Sequence, residues 1–261
     1  MQRLQTMLGA SPQVCGFRES RWTLRRLKAY LAPAREASLV TISHLLQRCG
    51  LSYKRGRAYL HSPDPLYLRK LAVIAWVQEQ VQSQQKPWVL LYSDEMTYYR
   101  RASVCQGYDQ RGSDGPRVEQ GYSSNKKRRL AGCLDSATGR FLCWQRYKFD
   151  HRTWLAFLLH VEQCYPEAQR IFIVVDNWPV HRHPAVLKAL ATSKITLLYQ
   201  PTYAPWTNPV EKVWRKLKQD LLHHHPFRDD WDGLQSAVAQ WLAQYEAPSQ
   251  NLLHYAGLLR S

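Results

Sequence analysis

Two apolar runs that each close on an aspartate constrain this chain most: WVLLYSD over residues 88–94 and RIFIVVD over 170–176. Neither alternates polar with apolar, so each reads as a strand covered on both faces, the situation of an inner parallel strand in an α/β sheet. RLAGCLD (129–135) and FLCWQRY (141–147) also read as strands, joined into a hairpin by a turn at Thr138-Gly139, and ITLLY (195–199) reads as another. Helical patterns near 152–164, 184–192, 208–222 and 231–246 fall between and after them. A meander followed by alternating helix and strand predicts an α/β domain with a mixed sheet flanked by helices.

The first part of the chain has a different texture. Of 36 Lys and Arg against 20 Asp and Glu in 261 residues, residues 1–70 hold 13 against 3, and the whole carries +16. Such a field attracts polyanions, nucleic acid above all. Ser20 is placed to cap a helix with Leu24, Leu27 and Leu31 on one face. Residues 41–49 read as a second helix, capped by Thr41, with Ile42, Leu45, Leu46 and Cys49 inward and Gly50 at its end. With the basic tail Tyr53, Lys54, Arg55 and Arg57, the pair has the form of a small all-α helix-turn-helix, winged-helix-like domain. Ser43, His44, Gln47 and Arg48 would then face the major groove, although any helical hairpin gives the same pattern. HSPDP (61–65) breaks structure, so the organisation expected is a DNA-binding region over 1–66, a connecting helix within 67–87 and the α/β domain over 88–261.

Other classes are disfavoured. The six cysteines form no CxxC pair and have no histidine at zinc-ligand spacing, so they read as small core residues. His223, His224 and His225, on the helix predicted there, would point in three directions, which suggests solvated surface. No apolar stretch reaches about 18 residues and no signal peptide is evident, so no membrane partner is expected and the location expected is the cytoplasm, in association with the nucleoid.

Chemistry is carried by three acids. An aspartate after a strand commonly does no more than start a turn, but two that each end a buried strand could reach the same crevice at the strands' carboxyl ends. Glu211 follows Asn208-Pro209, which has the form of a helix N-cap and first helical residue. Val210, Val213, Trp214, Leu217 and Leu221 make the buried stripe of that helix, with Glu211 at its margin. It can lean toward the two aspartates, or merely complement the helix dipole. Three carboxylates in one crevice need cations, and hard oxygen ligands select Mg²⁺ or Mn²⁺. Asp94, Asp176 and Glu211 are therefore the candidate catalytic and metal residues, holding two divalent ions of the kind that support in-line phosphoryl transfer.

The strings LYSDEMTY, VVDNWPVHR and LLYQPTYAPWTNPVEKVWRKLKQDL resemble the three catalytic motifs of the transposases of the mariner superfamily, in particular the bacterial insertion sequence 630 family. The 34 residues between Asp176 and Glu211 match its pattern, and WTLRRLKAYL, LLQRCGLSYKR and YLHSPDP resemble its N-terminal DNA-binding region. The resemblance, over about residues 20–225, implies a ribonuclease-H-like fold, with which the order of elements is compatible. It further implies cleavage of transposon ends, strand transfer into target DNA by the freed 3′-hydroxyl, commonly at TA, and a homodimer assembled on DNA. Family members usually carry two helix-turn-helix units, and only the second is recognisable here, so a truncated copy or a second reading frame is one expectation. Two rivals follow: a nuclease of this fold that hydrolyses without joining, and a derivative that binds DNA and no longer transposes.

Neighbouring residues leave alternatives open. Glu95 should point away from Asp94, on the opposite strand face, and Asp135 reads as a turn acid. Asn177 and His181 could contact phosphate or orient a metal ligand. Lys126, Lys127, Arg128 and Arg129, expected just before a strand, track a DNA backbone or form a solvated loop. Tyr203 and Trp206 stack on a base or pack their own loop.

Overall fold

The computed structural model describes residues 2–31, 37–53, 62–122 and 124–259. The chain divides into two compact units, Met1–Tyr59 and Leu60–Ser261.

The first unit contains α1 (Gln2–Gly9), which the sequence reading did not anticipate, then α2 (Leu24–Leu31) and α3 (Leu39–Arg48). The two later helices start differently from expectation. Thr23 Oγ1, not Ser20, accepts the Arg26 amide at 3.3 Å, and Ser38 Oγ accepts the Thr41 amide at 3.0 Å, which places Thr41 inside the first turn of α3. Thr23 and Ser38 each stand just before the first helical residue, where the backbone is not yet helical, so their hydroxyls reach the orphan amides of the first turn. α2 packs on α3 through buried Leu27 and Ile42, whereas Leu24, Leu31 and Leu45 are more than a third exposed. His44, Gln47 and Arg48 are exposed on α3 and Ser43 is half-buried. Lys54, Arg55, Arg57 and the expected wing lie outside the described residues.

The second unit opens with α4 (Tyr67–Gln82) and continues through β1 (Trp88–Tyr99), β2 (Lys127–Asp135), β3 (Phe141–Arg146), α5 (His151–Gln163), β4 (Arg170–Val175), α6 (Pro184–Leu190) and β5 (Ile195–Tyr199). It ends with α7 (Val210–Leu217), a π-helical turn over Lys218–Leu222, α8 (Trp231–Ala243) and α9 (Gln250–Ala256). The sheet order is β3-β2-β1-β4-β5, antiparallel on the β1, β2, β3 side and parallel between β1, β4 and β5. Helices cover both faces, as the apolar runs require. Leu90 and Tyr92 of β1 point into a core with Trp214, Leu217, Leu234 and Leu252, while Leu91 joins Ile171, Ile173, Trp154 and Phe157 on the other face.

Several expectations need correction. β1 does not end at Asp94. Its parallel pairing with β4 stops at Tyr92↔Val174, but it continues antiparallel to β2 as far as Tyr99↔Lys127, so Asp94 lies within the strand at the point where its parallel partner gives out. For the same reason β2 starts two residues earlier than expected, and Lys127 and Arg128 join Arg129 in the strand rather than forming the loop before it. The three histidines are neither helical nor simply solvated. His223 Nδ1 lies 2.8 Å from Ser103 Oγ, His224 Nε2 accepts the Cys105 amide at 2.9 Å, and His225 is buried. They pin the start of the long β1–β2 excursion to the end of the π turn. Of the cysteines only Cys133 is fully buried, and Cys105 is exposed. Asp135 is a turn acid: its Oδ1 accepts the amides of Ala137 and Thr138 at 2.8 and 3.1 Å, and Gly139 closes the turn at φ +71. No described helix is long and apolar enough to cross a membrane.

Candidate active site

Asp94 from β1, Asp176 immediately after β4 and Glu211 in the first turn of α7 line one cavity of about 330 Å³. The sheet sets this geometry. β1 and β4 are parallel neighbours, so their carboxyl ends open into the same crevice, and α7 crosses the face beneath with its N-terminus there. Asn208 fixes that N-terminus twice over. Its Oδ1 accepts the Val210 amide at 3.1 Å and its Nδ2 donates to the Ser93 carbonyl at 2.9 Å, tying the start of α7 to the residue before Asp94.

Each aspartate has its own anchor. The Trp214 indole, three residues after Glu211 and hence on the same side of α7, donates to Asp94 Oδ2 at 3.0 Å. Gly132 lies opposite Asp94 in β2, and the Phe141 and Trp214 rings occupy the space a side chain there would need. Asp176 Oδ1 accepts the Trp178 amide at 2.8 Å and lies 3.0 Å from Nδ1 of His181, whose Nε2 is 3.1 Å from Glu95 Oε1. His181 is 1% exposed beneath Trp154, so of its two open readings the structure favours the orienting one. Glu95 does face away from Asp94, toward this histidine. Spacing could not reveal the Trp214 anchor, because an indole in an apolar stripe looks the same with or without a hydrogen-bond partner.

Burial and neighbouring charge perturb the titrating groups of the site. Burial first, then the charges of Glu211 and Glu95, push the Asp94 carboxyl up to about 8. Burial would lower His181, but hydrogen bonds to Asp176 and Glu95 and their charges outweigh it and raise the imidazole to about 9. Burial also acts upward on Asp176, and the His181 and Trp178 hydrogen bonds more than offset it, leaving the carboxyl below its usual range. Glu95, Asp176 and His181 carry potential ligand atoms within 4.8 Å of one another. A protonated imidazole is a donor, however, so this trio acts as a brace. Asp94, Asp176 and Glu211, which line one cavity, offer the all-oxygen donor set that suits Mg²⁺ or Mn²⁺, and a cation among them would favour the ionised form of Asp94.

Of the predicted basic cluster, Arg129 alone among the described contacts reaches the site, lining with Asp94 and Asp176 a second cavity of about 220 Å³. Arg128 Nε donates to Gln235 at 2.6 Å, and Lys126 and Lys127 are exposed. Tyr203, at φ +54 and 74% exposed, borders the carboxylate cavity rather than packing its loop. Trp206 is half-exposed, its indole donating to the Tyr67 hydroxyl at 3.3 Å.

Residues 89–232, more than half of the chain, match the family model described as DDE superfamily endonuclease. The chain belongs to this family. The insertion element IS630 uncharacterized 39 kDa protein of Shigella sonnei is 26% identical over 231 residues, 87% of this DDE chain but 66% of the relative, so the chain spans just under two thirds of that protein. Among solved structures, the Mos1 transposase paired-end complex with left transposon end aligns at a TM-score of 0.68 and 17% identity, covering 98% of this chain and 74% of that one. The Mos1 strand transfer complex aligns at 0.66 and 17%, covering 98% and 72%. The expected membership of the mariner and IS630 group agrees with these matches, and the five-stranded mixed sheet is ribonuclease-H-like, as the motif resemblance implied.

Proposed function

We propose that this chain is a DNA transposase that cleaves the ends of a mobile element and joins them to target DNA. The observation that carries the reading is the convergence of Asp94, Asp176 and Glu211 on one cavity, where the Asp94 carboxyl is pushed up to about 8 by burial and by Glu211 and Glu95. These three would hold the pair of divalent ions that the motif resemblance implies, through hard oxygen donors alone, and ions bound there would supply activation of an oxygen nucleophile and stabilisation of the leaving oxygen in an in-line displacement. The chain's own residues do the rest. Trp214 and the protonated His181 hold two of the carboxylates in place, Asn208 holds the start of α7, and Arg129 supplies positive charge on the far side of the aspartates for a phosphate. Exposed Tyr203 and Trp206 offer ring faces to unpaired bases.

The partners in this reading are transposon-end and target DNA, with a homodimer formed on paired ends. The two Mos1 structures named above are of a paired-end complex and a strand transfer complex, which supports it. The exposed His44, Gln47 and Arg48, with Ser43, are the proposed base-reading face of the first unit, and the location proposed is the nucleoid. The test is a joining assay with labelled element-end duplexes, target plasmid and Mg²⁺ or Mn²⁺. Covalent end-to-plasmid products are expected, whereas cut ends that never join would establish a nuclease instead.

A further inference from the structure

A cavity of about 580 Å³ adjoins the carboxylate cavity and shares Asn177 and Thr202 with it. Its charged walls are Asp64, Lys70 and Arg182. Asp64 and Lys70 cancel: Lys70 Nζ is 2.6 Å from Asp64 Oδ2, and that carboxylate also accepts the Thr202 and Leu66 amides, each at 2.9 Å. The Lys70 hydrogen bond, with these amides, holds the Asp64 carboxyl far below its usual range, so it stays an internal anion with no charge to spare. Arg182 is different. Its guanidinium lies 4.4 Å over the Tyr199 ring and donates to Asn177 Oδ1, and both partners are neutral. None of the ion pairs among the described residues includes Arg182.

Among the described residues, Arg182 is thus a positioned cation with no ion-pair partner. It shares the 3-10 turn Pro179–Arg182 with His181, which braces Asp176, and its partner Asn177 directly follows Asp176 and donates to the Gln200 carbonyl at 2.9 Å. The guanidinium is therefore fixed relative to the carboxylates through two short routes. A planar fork with N–H groups still available suits a pair of phosphate oxygens. We infer that Arg182 binds the phosphodiester next to the one cleaved, in the strand that leaves the carboxylate cavity on the Asn177 and Thr202 side. The inference rests on the DNA-cleaving reading and adds to it a path for the strand.

The test measures binding of a labelled element-end duplex in EDTA as a function of salt, for the wild-type chain, Arg182→Gln and Arg182→Lys, with melting curves for all three. Arg182→Gln should bind about 10-fold more weakly, the scale of one lost charge-assisted hydrogen bond, and its log–log salt slope should shrink by about 0.9, one phosphate contact. Arg182→Lys should keep the slope and recover only part of the affinity, because it retains charge and loses the fork. In plasmid nicking, the KM of Arg182→Gln should rise more than its kcat falls. Unchanged affinity and slope in Arg182→Gln, or full recovery in Arg182→Lys, would overturn the site. Should Arg182→Gln not fold, wild-type affinity in a folded Arg182→Lys would do the same. Because binding is read without metal, it remains decisive for Arg182 even if nicking proves independent of Asp176 and the cleavage reading fails.

Discussion

Gly132 offers a quantitative test of how the core supports the carboxylates. A Cβ built there would come 2.3 Å from Phe141 Cζ and 2.9 Å from Trp214 Cη2. Neither ring can retreat, since Phe141 is 0% and Trp214 2% exposed and the two are packed edge to face at 5.3 Å. Overpacking of this kind costs about 1–3 kcal/mol. At about 2–4 °C per kcal/mol for a unit of this size, Gly132→Ala should lower Tm by roughly 2–12 °C. Trp214 also holds Asp94, so displacement of its ring should reduce metal-dependent nicking at temperatures where the variant is still fully folded. Gly9→Ala is the control, because nothing lies within 4 Å of a Cβ there. Differential scanning calorimetry and nicking at 20 °C read both effects. A Gly132→Ala protein that melts within 1 °C of wild type and nicks normally would refute the argument.

Two further outcomes follow from the same site. Asn208→Ala should destabilise by about 1–2 kcal/mol in a denaturant titration through loss of the α7 cap, and more than that is expected in activity, because Glu211 shares that first turn. In metal-free protein the folded state keeps a proton on Asp94 that the unfolded state releases above pH 3.8, so this group's contribution falls as pH rises from about 4 through about 8. Glu211→Gln in EDTA should flatten that decline in a Tm-versus-pH series, and an identical slope in the two proteins would contradict the repulsion assigned to Glu211.

The sheet was the most legible part of the chain, since apolar runs without alternation specify inner strands wherever they occur. Strand ends were less so: β1 overruns Asp94 because its second neighbour, β2, keeps pairing after β4 stops, and pairing between distant segments leaves no local mark. The two aspartates could be picked out because acids that close apolar runs are conspicuous, and Glu211 because it follows the helix-start signal Asn208-Pro209, but their anchors could not. Trp214 and His181 sit among apolar residues and reveal their roles only when α7 and the 3-10 turn bring them to Asp94 and Asp176. The histidine run was misread because its partners, Ser103 and Cys105, lie more than a hundred residues away. Helix starts in the first unit shifted because several hydroxyl residues compete for each cap.

The measurement that bears most directly on the central claim is nicking of supercoiled plasmid carrying the element's ends, with Mg²⁺ or Mn²⁺, by the wild-type chain and by Asp176→Asn. Metal-dependent nicking that disappears in a folded Asp176→Asn protein is the predicted result. Equal nicking by both would contradict the assignment of Asp94, Asp176 and Glu211.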